Sequence, residues 1–288
     1  MQTEMRVGDA IRRGVTRLDL AGVASPQHDA EALLGHVLGV PRFRLRLADA
    51  LSEQQEARLE ALLVRRCRRE PLQHLTGRAA FRYVDVEVGP GVFVPRPETE
   101  LLAGWAIDRA AGLERPVVAD LCTGSGAMAL AVATEVPASQ VYAVELSESA
   151  HAYAGRNLAG SGVDLRLGDI ADALADLDGR VDVVVANPPY IPLDAFESVS
   201  VEGRDYDPPQ ALWAGRDGLE LIRQVEQTAA RLLRPDGWVG CEHADVQGES
   251  ASVVFAGRGR WSDVRDHLDL AGRPRFVTAR RVCHDGSS

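Results

Sequence analysis

The stretch VVADLCTGSGAMAL, residues 117–130, joins an apolar run rich in valine to a glycine-containing turn and a second apolar segment. The first five residues predict a buried β-strand, and the residues from 126 onward predict a helix. Glycines at 124 and 126 lie between the two elements, where they allow a ligand to approach the backbone closely. A strand that turns directly into a helix is the repeating unit of a parallel α/β sheet.

The same alternation of strands and helices runs on both sides of this stretch. Strands are predicted at 117–121, 140–145, 163–167, 181–186 and 237–242, with weaker ones at 262–267 and 275–282. Helices are predicted at 98–112, 126–135, 148–159 and 218–233. This order predicts an α/β fold with a mainly parallel, doubly wound sheet and helices on both faces.

The residues before this region predict a separate helical part. Ile11, Val15 and Leu18 share one helical face, Ser25 and Pro26 are suited to begin a helix, and Ser52 with Gln55 predicts a capping box. Residues 79–95 alternate apolar residues around GPG, which predicts a β-hairpin. We therefore expect a helical domain at 1–78, a hairpin hinge at 79–95 and an α/β domain at 96–288.

A run of arginines ends the last helix of the helical part. Arg65, Arg66, Arg68 and Arg69 suit the C-terminal end of a helix dipole, which favours cations. Two interpretations stay open: a solvated helix end, or a surface that binds a partner.

The composition limits the class of protein. Of 288 residues, 45% are hydrophobic and 26% are charged, with no apolar run of membrane-spanning length and no apolar core of a signal peptide near the N-terminus. We expect a cytoplasmic protein that does not contact a membrane. The net charge of −10 argues against direct nucleic-acid binding. The four cysteines form no C-x-x-C pair and no cluster with metal spacing, so we expect free thiols and no metal.

The turn at 122–126 and the residues that follow the next two strands predict a nucleoside site. The turn is neither G-x-G-x-x-G nor a G-K-[ST] phosphate loop, so a dinucleotide or a nucleoside triphosphate is not favoured. Glu145 ends the second strand, where a carboxylate can accept hydrogen bonds from both ribose hydroxyls. Asp169 and Ile170 follow the third strand, where an adenine edge would lie. Acidic residues without a phosphate-binding loop favour a cationic nucleoside such as S-adenosyl-L-methionine (AdoMet), and Asp120 could pair with its ammonium group. The alternative is a strand-turn-helix whose glycines serve packing only.

The stretch VVANPPYIP, residues 184–192, places polar acceptors at the end of the fourth strand. A planar nitrogen becomes more nucleophilic when its N–H groups donate to fixed acceptors. The Asn187 side-chain oxygen and the Pro188 carbonyl could supply them, because the prolines remove competing N–H donors and fix φ. Tyr190 offers a flat face for stacking. We expect catalysis by positioning, with Asn187 as an aligning group and not as a base.

These segments together resemble a known family. DLCTGSG, AVELS and NPPYI resemble class I AdoMet-dependent methyltransferases that act on planar nitrogens. EPLQHLTGRAAF (70–81), VPRPETELL (94–102), YDPPQALWAGRDGL (206–219) and CEHADVQGE (241–249) narrow the resemblance to the release-factor glutamine methyltransferases (PrmC/HemK). The resemblance implies a five-helix N-terminal domain, a hairpin hinge and a seven-stranded, Rossmann-like methyltransferase domain. It implies N5-methylation of the glutamine in the Gly-Gly-Gln motif of class 1 peptide chain release factors, with S-adenosyl-L-homocysteine as the product.

The resemblance also implies roles for individual residues. It assigns AdoMet contacts to Cys122, Thr123, Gly124, Ser125, Gly126, Glu145 and Ile170, and substrate-amide contacts to Asn187, Pro188, Pro189 and Tyr190, with Asn187 also facing the methyl group. Two residues depart from the family: Cys122 replaces a usual glycine and would be strained at positive φ, and Asp207 replaces a more usual glutamate.

Alternative functions stay open from the sequence alone. NPPY is shared with N6-adenine methyltransferases of DNA and RNA, and a relative that methylates a glutamine of a ribosomal protein would look similar. A non-catalytic partner-binding protein with a degenerate cofactor site is a third interpretation, motivated by Cys122 and the arginine run. The sequence shows no sign of oligomerisation, so we expect a monomer.

Overall fold

A computed structural model describes residues 5–48, 50–257 and 259–283. The chain forms two compact units, which we call the helical unit (Met1–Arg78 with Ser200–Tyr206) and the sheet unit (Ala79–Val199 with Asp207–Ser288). The expectation of an N-terminus without a signal segment falls in part on residues 1–4, which lie outside the described residues. The division at 1–78, 79–95 and 96–288 stays a prediction, and it does not include the return of residues 200–206 to the helical unit.

The strands and helices predicted for the sheet unit are present in the expected order. The strands are β1 (Met5–Arg6), β2 (Ala50–Leu51), β3 (Arg78–Phe81), β4 (Val84–Glu87), β5 (Val117–Leu121), β6 (Gln140–Glu145), β7 (Asp164–Leu167), β8 (Val181–Ala186), β9 (Leu233–Glu242), β10 (Trp261–Leu268) and β11 (Pro274–Arg281). The α-helices are α1 (Val7–Leu20), α2 (Pro26–Leu38), α3 (Glu53–Cys67), α4 (Leu72–Thr76), α5 (Thr99–Ala111), α6 (Ala127–Glu135), α7 (Glu148–Asn157), α8 (Val201–Tyr206), α9 (Glu220–Leu232) and α10 (Gly248–Ala256). Short 3-10 helices lie at Arg42–Leu47, Ala175–Leu177, Leu193–Ser198, Pro209–Ala211 and Asp245–Gln247. Of these elements, β1, β2, α8 and α10 were not predicted.

The helical unit packs α1, α2 and α3 around a leucine-rich core. Both hydrogen bonds of the capping box at Ser52 and Gln55 are present at the start of α3. Gly39 ends α2 in the left-handed region, which glycine adopts without a Cβ penalty. Pro26 begins α2, but the Ser25 side chain makes no capping hydrogen bond. These local signals set the start of α3 and the end of α2, while the buried leucines determine how the helices pack.

The arginine run at the end of α3 and just beyond it is only partly solvated: Arg65 and Arg68 are exposed, while Arg66 is buried and Arg69 half-buried. Arg66 is only 6% exposed, and its guanidinium donates to Asp29 at 2.7 Å and to Glu202 at 3.1 Å. Arg69 donates to both carboxylate oxygens of Glu202, at 2.7 and 2.8 Å. The interpretation as a solvated helix end was therefore wrong for Arg66, because its buried guanidinium forms ion pairs with two acids of the same unit. A role of this run in partner binding stays a prediction.

The hairpin forms earlier than its sequence pattern predicts. β3 and β4 make a two-stranded sheet whose connection is Arg82–Tyr83, and GPG follows β4 as a separate turn, in which the Val92 N–H donates to the Gly89 carbonyl at 3.3 Å. Arg82 adopts φ 50° and pairs with Glu135 at 2.6 Å, which holds the turn in place. Val88, Val92 and Val94 are buried in the sheet unit's core. Their alternation reflects packing against α-helices and not pairing with a partner strand.

The sheet unit contains a seven-stranded sheet in the order β10-β11-β9-β8-β5-β6-β7. β9, β8, β5, β6 and β7 are parallel, and β11 joins this group antiparallel to β9. Val183 and Val185 of β8 face one core with α5 and α6, while Val184 and Ala186 face the other with α9 and α10. The doubly wound α/β fold expected from the sequence is thus confirmed. Within the described residues, no helix is both long and apolar enough to cross a membrane.

Candidate functional site

The carboxyl ends of four neighbouring strands define the candidate site. Leu121 pairs with Val144 and with Ala186, and Ala186 pairs with Cys241. The strand order reverses direction along the chain between β5 and β8, which is where α/β sheets bind ligands. The predicted segments at 122–126, 145 and 187–190 therefore meet at one edge of the sheet.

The turn after β5 is held by backbone hydrogen bonds. The Thr123 N–H donates to the Val144 carbonyl at 2.9 Å, and the Gly126 N–H donates to the Thr123 carbonyl at 2.9 Å. Gly126 has φ 82°, and a Cβ there would lie 3.0 Å from Leu158 Cγ, so both conformation and space require glycine. A Cβ on Gly124 would meet open space. Ser125 is buried, and its carbonyl accepts a hydrogen bond from Asn157 at 2.8 Å.

Asp120 lies beneath this turn and is 1% exposed. Its Oδ2 accepts hydrogen bonds from the Thr123 hydroxyl at 2.6 Å and from the Ala129 N–H at 3.1 Å. Its Oδ1 is buried and has no partner among the described residues. Burial raises the pKa of Asp120 to about 7 against these two hydrogen bonds. The free oxygen is an unmet acceptor that a cationic or N–H-bearing ligand group could satisfy.

Glu145 ties the end of β6 to the turn. Oε2 accepts from the Gly124 N–H and Oε1 from the Ser147 N–H, both at 2.8 Å. Burial raises the pKa of Glu145, and these backbone hydrogen bonds oppose the rise. Because a carboxylate can accept about four hydrogen bonds, capacity for two ligand hydroxyls remains.

Cys122 adopts φ 62°, the condition under which the sequence predicts strain. A non-glycine residue in the left-handed region costs about 1–2 kcal/mol. Burial raises the pKa of the Cys122 thiol, so the side chain is an inert neutral group and not a nucleophile. The strain falls within the turn that the sequence assigns to the cofactor.

Asp169 and Ile170 follow β7 by two and three residues. Asp169 is exposed, and its Oδ1 accepts hydrogen bonds from the Ala171 N–H and from Gln224. The Ile170 side chain packs in the core shared with β5 and β8, and its carbonyl accepts from Thr228 at 3.2 Å. Only the backbone of Ile170 therefore remains available to a ligand.

Asn187 and Pro188 present acceptors directly after β8. The Asn187 Nδ2 donates to the Thr99 hydroxyl oxygen at 3.2 Å, which leaves the side-chain oxygen on the other end of the amide. No described residue donates to Asn187 Oδ1 or to the Pro188 carbonyl. Asn187 is half-buried. Two unpartnered acceptors on adjacent residues are the arrangement that the sequence predicts for a planar N–H group.

Tyr190 and the backbone around it are anchored from the neighbouring strand and loops. The Tyr190 hydroxyl donates to Glu242 Oε1 at 3.2 Å, and its carbonyl accepts from Gln247 Nε2 at 3.0 Å. Burial raises the pKa of the Tyr190 hydroxyl, which therefore stays a neutral donor. Pro189 is half-buried between these anchored residues. The ring is thus fixed in place at the edge of the sheet.

Thr99, Glu242 and Gln247 are site residues that the sequence analysis did not single out. Thr99 is 6% exposed at the start of α5, and Glu242 is 1% exposed at the end of β9. Burial raises the pKa of Glu242 to about 7, although hydrogen bonds from Thr99 and Tyr190 and the charge of Arg275 lower it. A glutamate at the end of the strand next to β8 was a visible signal, but only the sheet order shows that it adjoins Asn187.

Asp207, one of the two departures noted in the sequence, pairs with Arg96. Burial raises the pKa of Asp207 to about 6, and Arg96 opposes this rise. Its Oδ1 is buried without a partner among the described residues. The shorter side chain therefore forms its ion pair and leaves one oxygen unmet.

Two family models match the chain. The model described as PrmC N-terminal domain matches residues 9–77, and the one described as Methyltransferase small domain matches residues 99–198. The first range lies in the helical unit, and the second covers the turn, Glu145 and NPPY.

Curated relatives match over most of the chain. A release factor glutamine methyltransferase of Streptomyces coelicolor is 55% identical over 94% of this chain and 97% of its own length. A 4-amino-L-phenylalanine/4-methylamino-L-phenylalanine methyltransferase of Streptomyces pristinaespiralis is 43% identical over 77% of this chain and 73% of its own. Among solved structures, the hMettl16 catalytic domain in complex with an RNA hairpin has a TM-score of 0.54, with 15% identity over 82% of this chain and 84% of that one, a likeness of fold alone.

Proposed function

The chain belongs to the release factor glutamine methyltransferase family, and on that basis we propose that it methylates N5 of the glutamine in the Gly-Gly-Gln motif of class 1 release factors. The observation that carries the proposal is the pair of acceptors at Asn187 and Pro188 to which no described residue donates, at the switch point of the seven-stranded sheet. A glutamine carboxamide has two N–H donors on one planar nitrogen, which two fixed oxygens would match.

We propose AdoMet as the methyl donor, since the polar groups of the site fit it. Asp120 Oδ1 is buried and has no partner among the described residues, so it could accept from the ammonium group. Glu145 can still accept hydrogen bonds from the two ribose hydroxyls. Asp169 and the N–H of Ile170, for which the described part of the chain offers no acceptor, would meet the adenine edge. The glycines at 124 and 126 would let the backbone of the turn, with Thr123 and Ser125, lie against the ligand. AdoMet supplies an electrophilic methyl carbon on a sulfonium.

The residues of the chain would act by orientation. Asn187 Oδ1 and the Pro188 carbonyl would accept the two N–H groups of the substrate amide, while Tyr190 would pack against its plane. The nitrogen lone pair would then point at the methyl carbon; the N–C bond forms as the S–C bond breaks, and the extra proton leaves to solvent. Alignment of this kind supplies about 7–11 kcal/mol in well-oriented reactions.

The helical unit favours a protein substrate over a small or nucleic-acid one. Residues 9–77 match the N-terminal domain model of this family, beyond the methyltransferase region shared with nitrogen methyltransferases in general. The aromatic-amine relative from Streptomyces pristinaespiralis shows that a related chain accepts an aryl nitrogen, so a small amine belongs among the test substrates. Adenine in DNA or RNA and a ribosomal-protein glutamine are further alternatives.

The test is transfer of labelled methyl from AdoMet to a purified class 1 release factor. We expect one methyl group per factor at the Gly-Gly-Gln glutamine, and none when that glutamine is replaced by alanine. DNA and RNA oligomers, ribosomal proteins and 4-amino-L-phenylalanine serve as competing substrates in the same assay. Equal labelling of the alanine variant, or labelling of a competing substrate alone, contradicts the proposal.

We also propose that the protein acts in the cytoplasm, because release factors work there on the ribosome. We further propose that it acts as a monomer. Light scattering at the mass of a single chain, with and without release factor, tests the oligomeric state.

A further inference from the structure

Asn187 can align a substrate amide only if its oxygen, and not its nitrogen, faces the substrate. The two ends of a carboxamide are nearly equal in size, so packing alone does not choose between them. If Nδ2 faced the crevice, a donor would meet the two N–H donors of the substrate. Something on the far side of Asn187 must therefore set its direction.

The hydroxyl of Thr99 lies on that far side. It accepts a hydrogen bond from Asn187 Nδ2 at 3.2 Å, which leaves its own proton to donate. Glu242 is the acceptor that suits it, because Oε2 of this carboxyl is buried with no partner among the described residues and the Thr99 hydroxyl is one of the groups that lower its pKa. An ionised carboxylate only accepts hydrogen bonds. The chain of hydrogen bonds therefore has one direction: Asn187 donates to Thr99, and Thr99 donates to Glu242.

Glu242 also anchors the other side of the segment. The Tyr190 hydroxyl donates to its Oε1 at 3.2 Å, and Oε2 is buried as an open acceptor among the described residues. One carboxylate at the end of β9 thus fixes Asn187 through Thr99 and Tyr190 directly. The register places it there, because Ala186 and Cys241, the residues just before Asn187 and Glu242, are paired.

We propose that Thr99 and Glu242 are positioning residues, which set the orientation of the Asn187 carboxamide and thereby the rate of methyl transfer. The inference rests on the function proposed above. Neither residue needs to touch the substrate. Their contribution would appear in kcat at saturating AdoMet and release factor.

The charges around Glu242 decide the pH at which this orientation holds. Arg275 on β11 favours the ionised form, while Glu98 before α5 and burial oppose it, with Tyr190 and Thr99 as neutral donors. His243 on the next position is engaged by the Ala244 carbonyl and Asp266. The pKa of Glu242 is about 7. Below it, a protonated carboxyl can donate to Thr99, which can then donate to Asn187 and turn the amide around.

The test compares isosteric variants in the release-factor assay. For Thr99→Val we expect kcat to fall about 100-fold, the size of a misplacement near a reacting centre, with the AdoMet dissociation constant unchanged. Thr99→Ser keeps the hydroxyl and should restore most of kcat. Thr278→Val is the matched control, because Thr278 is a buried threonine whose hydroxyl bonds His267 instead, and its kcat should equal that of the wild type.

A pH profile separates positioning from a merely structural role. At saturating AdoMet, wild-type kcat should rise as pH increases through about 7, where Glu242 ionises. Glu242→Gln should be slow at every pH and lack this rise. Glu242→Gln also provides the test of the inference if Thr99→Val fails to fold.

Either of two results overturns the inference while the proposed function stands: wild-type kcat in Thr99→Val, or a serine variant as slow as the valine variant. A wild-type chain that labels no release factor overturns both proposals, and that result is visible before any variant is made.

Discussion

At the scale of single residues, the site uses neutral groups where many enzymes use a base. Asn187, Pro188 and Tyr190 offer two acceptors and a fixed ring, and the acids nearby are held by backbone N–H groups or buried hydroxyls. Such a site can lower a barrier only through alignment and through the hydrogen bonds it makes to the reacting amide.

Replacing Asn187 by alanine should therefore remove activity without removing the cofactor. We expect Asn187→Ala to lower the single-turnover rate by at least about 100-fold, as the loss of one aligned hydrogen-bonding group does elsewhere. The AdoMet dissociation constant, measured by calorimetry, and the melting temperature should stay close to wild type. Turnover near the wild-type rate would falsify the role of Asn187.

Glu145 should behave in the opposite way. Glu145→Ala removes the acceptor of the Gly124 and Ser147 N–H groups, so we expect AdoMet to bind about tenfold more weakly, a loss of about 1.4 kcal/mol. Titration calorimetry measures this. Glu148→Ala is the control, since it removes the same charge from an exposed position three residues away. Equal affinity in both variants would mean that Glu145 serves the fold alone.

At the scale of elements, the segment after β8 is held by a loop from far along the chain. The Ile191 N–H donates to the Leu212 carbonyl at 2.9 Å, and Gln247 donates to the Tyr190 carbonyl. Gly218 packs directly behind this carbonyl with φ 69°. The position of NPPY therefore depends on close packing of backbone against backbone.

Adding a methyl group at Gly218 should displace the segment. A Cβ there would overlap the Tyr190 carbonyl oxygen and Gln247 Nε2, so Gly218→Ala should lose most activity and more than about 2 kcal/mol of unfolding free energy. Gly160→Ala is the control: its φ of 77° imposes similar strain, but its Cβ would meet open space. Urea unfolding and the methyl-transfer assay measure both variants. The idea is wrong if the two behave alike.

The central strands were readable from the sequence because β5, β6 and β8 are short and mostly apolar, whereas α8 and α10 were not predicted. The hairpin turn was not, since Arg82 and Glu135 are 53 positions apart and GPG forms a turn of its own that joins no paired strands. The residues that directly follow the strands, Glu145 and Asn187, were identifiable for the same local reason. Thr99 and Glu242 were not, because their relation to Asn187 arises only when β9 pairs with β8.

At the scale of the whole molecule, the helical unit is completed by a distant segment. Glu202, in α8, supplies the carboxylate for Arg66 of α3 and for Arg69, two residues beyond the end of that helix. Burial raises the pKa of Glu202, but hydrogen bonds from Arg69 and Arg66 outweigh it and the net shift is downward. Residues 1–78 alone would leave a buried guanidinium short of one partner.

Neutralising this acid should destabilise the helical unit. We expect Glu202→Gln to cost about 2 kcal/mol, because it leaves a buried charge with a weaker partner. Glu60→Gln is the matched control: its partner Arg17 is more exposed, and such pairs contribute about 0–1 kcal/mol. Chemical denaturation followed by a probe in the helical unit gives both values. Equal costs would show that burial of Arg66 contributes nothing.

The pH dependence of stability should reflect the buried acids of the sheet unit. Burial raises the pKa of Asp120 and of Glu242 to about 7, so the folded chain holds these protons more tightly than the unfolded chain. Their stabilising effect is complete below the ordinary carboxyl range near pH 4 and is lost as pH rises to about 7. The melting temperature should fall from pH 5 to 7, and Asp120→Asn with Glu242→Gln should flatten this decline. A wild-type melting temperature that rises over this interval would contradict the assignment.

The return of residues 200–206 to the helical unit has a consequence for a chain cut once between Arg78 and Ala79. Such a cut breaks only that peptide bond. Glu202 still forms ion pairs with Arg66 and Arg69, and the Tyr206 hydroxyl still donates to the Arg68 carbonyl at 2.8 Å. The two fragments should co-elute from a sizing column and separate only in denaturant. Fragment complementation, with residues 1–78 and 79–288 expressed apart, is accordingly open to this chain.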